Sequence, residues 1–243
     1  MDVLIFGGQS NMQGQTESLP EEAPVGGAFE YLYETDAFRP LAHPVGENFG
    51  ELLLAAHEGH GSLVPSFCRA YREACGEEVA AIHAAKGATT IADWHPNGER
   101  YAFALKKICA GISAAKRLGE LRKIYYIWLQ GESDAIEGRS EEEYLRALVE
   151  YKNALMRDTG IQKFGMIRVG YFVNDERDLA IMRAQERAVR EDKDFVMLTR
   201  LTEEFSRDAQ FLNPFAPGHY NNRAMELLGR DAGQTLGKLR SEP

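Results

Sequence analysis

Cysteine is scarce in this chain: three in 243 residues, Cys68, Cys75 and Cys109. Cys68 and Cys75 fall in one helical stretch, seven residues and so about 10 Å apart along its axis. That is too far for a disulfide, and an odd count of buried-looking thiols fits a reducing compartment. Long apolar runs are missing too. None approaches the roughly 20 residues that cross a bilayer, and the first apolar run starts at about residue 2, which leaves no room for a leader. These absences predict a soluble, cytoplasmic protein. Basic clusters are also lacking, and the formal net charge is −9, which argues against DNA, RNA or anionic lipid as partners. Neither phosphate-cradling glycine signature is present, nor H-E-x-x-H. His57 and His60 with Glu58 have helix-like spacing, but Gly59 and Gly61 argue against a helix there. The other histidines, His43, His83 and His95, do not add up to a ligand set, so neither metal nor cofactor is expected. The run Glu141–Glu142–Glu143 reads as a helix first turn favoured by the macrodipole.

Five apolar, β-branched runs stand out, at residues 3–6, 79–84, 124–129, 164–172 and 195–201. They lack clean alternation, as strands buried on both faces of a parallel sheet do. Amphipathic helical stretches lie between and after them, at 65–74, 100–118, 141–157, 177–193 and 221–239. Ser140 with Glu143 forms a capping box that marks one helix start. Strand–helix alternation predicts an α/β three-layer sandwich, doubly wound, and five parallel strands suit a flavodoxin-like order. The connection 13–61 is long, rich in proline and glycine, and weakly periodic; it is expected to be a loop or lid that walls the substrate site of one domain spanning 1–243.

Four loops carry the residues of chemical interest. Ser10 follows the first strand in Gly7-Gly8-Gln9-Ser10-Asn11-Met12. Lys86-Gly87-Ala88-Thr89 follows the second strand, with Trp94 downstream. Gln130-Gly131-Glu132-Ser133-Asp134 follows the third. Pro217-Gly218-His219-Tyr220 precedes the last helix. Open α/β sheets bind ligands beyond the carboxyl ends of their strands. A serine there becomes a nucleophile when a base takes its proton, and His219 is the base in reach of that edge. Backbone N–H groups of Ser10 and Gly87, with the Gln130 amide, are candidate donors to an oxyanion.

These motifs resemble the SGNH hydrolase superfamily, in its branch of sialate O-acetylesterases and acetylxylan esterases (carbohydrate esterase family 6). Gly8-Gln9-Ser10-Asn11-Met12 stands where most of the superfamily has GDS. Trp128-Leu129-Gln130-Gly131-Glu132-Ser133-Asp134 matches W-x-Q-G-E-x-D, and Gly87-Ala88-Thr89 with Trp94 matches a third recurring element. The resemblance implies a flavodoxin-like SGNH fold and removal of O-acetyl groups from sugars. It implies Ser10 as nucleophile, His219 as base, and Ser10 N–H, Gly87 N–H and Gln130 as the oxyanion hole. The acetylated carbohydrate, or another small ester, is the partner it implies.

One departure matters. Most relatives carry aspartate three residues before the histidine, where this chain has Ala216. Glu132, a backbone carbonyl within 213–217, or Asp208 is then expected to orient His219. Asn11 and Trp94 are candidate substrate contacts. Plainer readings compete: Ser10 and Asn11 as helix caps, Gln130 as a buried amide satisfying backbone groups, Trp94 as core, Asp134 as structural. Two rival functions stand. In one, the chain is a broad short-chain esterase or thioesterase using Ser10 or Ser133, the latter if Gly131-Glu132-Ser133-Asp134-Ala135 is a nucleophile elbow. In the other, the chain is a catalytically weak carbohydrate-binding relative.

Overall fold

The computed structural model describes residues 1–53 and 60–241. In chain order its elements are β1 (Asp2–Gly8), α1 (Ser10–Gln13), β2 (Ala28–Leu32), β3 (Ala37–Pro40), α2 (Val64–Cys75), β4 (Val79–Ala85), α3 (Glu99–Leu118), β5 (Ile124–Leu129), α4 (Glu132–Glu137), α5 (Glu141–Thr159), β6 (Lys163–Ile167), α6 (Glu176–Glu191), β7 (Phe195–Thr199), α7 (Leu201–Phe205) and α8 (Asn222–Ser241). Seven strands form one sheet in the order β3-β2-β4-β1-β5-β6-β7. All neighbours are parallel except β2 and β3. The five expected strands are all present, and among themselves they follow the flavodoxin-like order 2-1-3-4-5. Helices cover both faces of the sheet, as burial of β1 and β4 along their whole length requires.

The two additional strands correct the reading of 13–61 as loop alone. β2 is hard to see in sequence because Glu30 sits at its centre, fully buried. Burial raises the pKa of that carboxyl. Arg39 of β3 answers it with two hydrogen bonds, of 2.8 and 2.6 Å, and the Gly46 N–H donates to its other oxygen. A buried charge persists only when paired in this way. The fourth expected strand, 164–172, stops early: β6 ends at Ile167, where its register with β7 shifts, and 168–172 turn towards the functional edge.

The capping box at Ser140 forms as expected, with Glu143 reaching back to the Ser140 N–H. Helices α2 and α8 pack closely. A Cβ on Gly233 would lie 2.2 Å from the Phe67 carbonyl oxygen, so only glycine lets the two backbones meet there. Cys68, Cys75 and Cys109 are free thiols. Among the described residues no helix is long and apolar enough to cross a membrane.

One buried group in this core has a measurable signature. His83 of β4 is buried, and its Nε2 lies 3.2 Å from the Met12 carbonyl of α1. Burial, then the nearby charge of Lys107, push its pKa down to about 4. The unfolded chain therefore binds a proton at higher pH than the native one does. Stability from the neutral imidazole is full above about pH 6.5 and drains away towards pH 4, by about 3 kcal/mol in all. Urea unfolding at pH 7.5 and 4.5 checks this. His83→Gln is expected to lose about 2 kcal/mol less than the parent between those values, and equal losses refute the assignment.

Candidate active site

The β1–β4 and β1–β5 pairings place Gly8 beside Ala85 and Leu129. The turns leaving β1, β4 and β5 therefore emerge side by side, at the point where strand order reverses. Gly8 has φ +141°, and a Cβ there would lie 2.0 Å from the Leu129 carbonyl oxygen. The chain turns at this residue, and Ser10 becomes the first residue of α1.

Ser10 Oγ lies 2.8 Å from His219 Nε2. The loop carrying His219 is tied down by its own backbone. Asn213 N–H donates to the His219 carbonyl at 2.8 Å, and His219 N–H to the Ala216 carbonyl at 3.1 Å. Asn213 Nδ2 reaches the Gln15 carbonyl at 2.7 Å. His219 Nδ1 is 3.1 Å from the Pro217 carbonyl. With Nδ1–H donating there, Nε2 turns its lone pair to the serine hydroxyl, the tautomer that a general base needs. Phe172 meets the imidazole edge-on, ring centroids 6.3 Å apart.

These groups open into a pocket of about 330 Å³ lined by Gln9, Ser10, Gln15, Lys86, Gly87, Ala88, Ser133, Ile136, Phe172 and His219. Ile136, Phe172 and Ala88 give it an apolar side suited to a short acyl group. Lys86 donates from Nζ to the Gly50 carbonyl at 3.0 Å, so the far part of the 13–61 connection borders the pocket.

The candidate residues divide into those brought together and those led elsewhere. Gly87 approaches Ser10: a Cβ on it would be 3.5 Å from the Ser10 Cβ. The next residue, Ala88, has φ +55°, a strained conformation for a non-glycine residue that turns the loop. The Gly87 N–H donates to Gln13 Oε1 at 2.7 Å. Gln130 does not serve the oxyanion hole here. It is fully buried, and the two hydrogens of its Nε2 are shared among the Thr89 carbonyl at 2.8 Å, Asp134 Oδ2 at 2.6 Å and Gln9 Oε1 at 3.2 Å. Its Oε1 accepts from Tyr144 at 3.1 Å. It is a structural amide joining the turns.

Glu132 is not hydrogen-bonded to the imidazole. Its Oε1 accepts from Asn11 Nδ2 at 2.8 Å, and burial raises its pKa. Asp208 caps a short turn, accepting from Gln210 N–H at 3.0 Å. Of the three expected ways to orient His219, the backbone carbonyl is the one seen. Asn11 is 1% exposed and engaged with the protein. Trp94 is fully buried, edge-on to Trp128, and bonded to Thr89 Oγ1 at 3.0 Å. It is core, not a sugar platform. Asp134 is structural, accepting from the Ile91 N–H and from Arg139. Ser133 lines the pocket, but the imidazole bonds to Ser10. Gln9 was legible only as part of its motif: its Oε1 accepts from Gln130 Nε2, Gly131 N–H and Ser133 N–H at 3.2, 3.3 and 3.2 Å, and so laces the β1 and β5 turns together. His57 and Glu58 lie outside the described residues.

A serine hydroxyl on an imidazole, at the carboxyl edge of a flavodoxin-like sheet, is the arrangement of a serine hydrolase. A carbohydrate esterase family described as sialic acid-specific acetylesterase matches residues 1–232, and the chain belongs to this family; it is an esterase. A search of curated proteins found no match. Among solved structures, a protein of Arabidopsis thaliana is similar with TM-score 0.71 and 18% identity, over 99% of this chain and 98% of that one. A lipase/acylhydrolase from Enterococcus faecalis is similar with TM-score 0.53 and 16% identity, over 100% and 97% of the two chains. TesA is similar with TM-score 0.52 and 12% identity, over 97% and 98%. At such identities these three likenesses speak for the fold.

Proposed function

We propose that this esterase removes O-acetyl groups from acetylated sugars, of sialate or xylan type, through an acetyl-serine intermediate on Ser10. The 2.8 Å contact between Ser10 Oγ and His219 Nε2 carries this reading. Ser10 Oγ attacks the acetyl carbonyl carbon while its proton passes to His219 Nε2. The carbonyl oxygen becomes an oxyanion. Ser10 N–H, in the first turn of α1 where backbone donors lack helical acceptors, stabilises it, as does Gly87 N–H once the substrate oxygen displaces Gln13 Oε1. The bond from carbonyl carbon to sugar oxygen then breaks, and His219 returns the proton to the sugar oxygen. A water molecule then gives a proton to His219 and attacks the acetyl-serine; the bond from carbonyl carbon to Ser10 Oγ breaks, His219 returns the proton to Oγ, and the product leaves as acetate with its own proton passing to solvent.

The pocket supports this reading in size and lining, since Ile136 and Phe172 suit a methyl group better than a charged acyl chain. The experiment is acetate release from O-acetylated sialic acid, acetylxylan and a simple aryl acetate, with mass mapping of a fluorophosphonate probe. Faster release from an acetylated sugar than from the aryl acetate is expected, with the label on Ser10. Label on Ser133, or no label at all, refutes the mechanism.

A further inference from the structure

We propose that Asn11 and Glu132 form a positioning pair that sets His219 against Ser10; the inference rests on the serine-esterase reading above. Asn11 follows the nucleophile directly in the chain. Its Nδ2 donates to Glu132 Oε1 at 2.8 Å and lies 3.4 Å from the Gly218 carbonyl. Its Oδ1 accepts from the Tyr220 N–H at 3.3 Å. One amide thus grips the main chain on both sides of His219. The two loop contacts are long and individually weak, so their value lies in register rather than in energy. The grip is only as firm as its anchor, and the anchor is the short bond to Glu132.

Glu132 begins α4 directly after the β5 turn. It is 4% exposed, and its Oε2 makes no hydrogen bond among the described residues. Burying a carboxyl with one oxygen unsatisfied costs stability. A core position chosen for stability alone would not hold such a group. Fixing Asn11 is a return for that cost, because the pair links three chain segments that meet only at this edge: the β1 turn, the β5 turn and the His219 loop. Asn11 then acts through loop geometry, without touching substrate. A shift of about 1 Å in a reacting group costs on the order of a hundredfold in rate.

The test measures kcat and KM on 4-nitrophenyl acetate from pH 5.5 to 9 for the parent, Asn11→Ala, Glu132→Ala and Glu132→Gln, alongside melting temperature. Asn11→Ala and Glu132→Ala are expected to lower kcat about tenfold to a hundredfold with KM within about threefold. Glu132→Gln keeps an acceptor oxygen for Asn11, so its kcat recovers to within about fivefold of the parent, with the same midpoint of the pH profile. Three outcomes overturn the inference: folded Asn11→Ala with parental kcat, a rise in KM at unchanged kcat (which makes Asn11 a substrate contact), or Glu132→Gln no better than Glu132→Ala. Should the alanine variants not fold, the isosteric Asn11→Asp decides with Glu132→Gln. A carboxylate facing Glu132 is expected to lose activity, increasingly as pH rises, whereas Glu132→Gln retains it; retained activity in Asn11→Asp overturns the pair. A parent protein that neither hydrolyses the aryl acetate nor takes a fluorophosphonate label on Ser10 refutes the esterase reading and the pair with it, whereas an active parent whose variants match it refutes the pair alone.

Discussion

Ser10→Ala is expected to lower kcat/KM on an aryl acetate by a factor on the order of 10⁴ to 10⁶. Loss on that scale follows from the proposed mechanism, in which nucleophile and base act as one unit: without the hydroxyl, His219 has no proton to take, and the remaining donors only bind the ester. His219→Ala is expected to fall as far, and the double variant scarcely further, since groups acting in one step are strongly non-additive. Ser133→Ala is the comparison that gives the result its meaning. Its side chain borders the same pocket, so a modest change, under about tenfold, is consistent with contact to substrate. A loss for Ser133→Ala as deep as that for Ser10→Ala would transfer the nucleophile to the β5 turn. The melting temperature of Ser10→Ala is expected to stay close to the parent's, so that lost rate is not lost fold.

The largest effect on stability is expected at Gly8. Alanine there meets two obstacles at once. Its φ of +141° is a conformation that L side chains rarely adopt, and its methyl would lie 2.0 Å from the Leu129 carbonyl oxygen. Neither is relieved without moving the end of β5, and β5 carries the Gln130–Glu132 turn. A cost of at least about 3 kcal/mol is expected, in the range reserved for core overpacking and backbone strain, with a fall of about 6–12 °C in melting temperature for a chain of this size. Gly76→Ala separates the two causes. Gly76 caps α2 with φ +76° and nothing lies within 4 Å of its notional Cβ, so only the left-handed penalty of about 1–2 kcal/mol applies. Equal losses in the two variants would mean that the close approach of β1 to β5 carries no weight.

Much of this architecture is legible before any coordinates. Local patterns mark the five parallel strands and the long helices because those elements are buried by apolar periodicity, which a sequence displays. Ser10 and His219 are legible as a pair because a serine at the tip of β1 and a histidine before α8 must share one sheet edge in this topology. What escapes is polar and non-local. β2 hides behind Glu30, whose burial makes sense only beside Arg39. Gln130 reads as an available donor because its acceptors, the Thr89 carbonyl and Asp134, are supplied by folding. Glu132 is rightly drawn to the site by its motif, yet it reaches Asn11 and not the imidazole. The terminus of β6 fails for a related reason, and the choice for Trp94 between core and substrate contact stays open in the sequence: exposure and register are settled by neighbours far away in the chain.

The contact between residues 10 and 219 spans most of the polypeptide, and this has a bearing on synthesis. A ribosome has already released Ser10 when His219 is still to be made, so no chain that stops before residue 219 holds the Ser10–His219 contact. On the proposed mechanism, hydrolytic turnover therefore reports that the chain has emerged through His219 and that the loop before α8 has closed onto the end of β1.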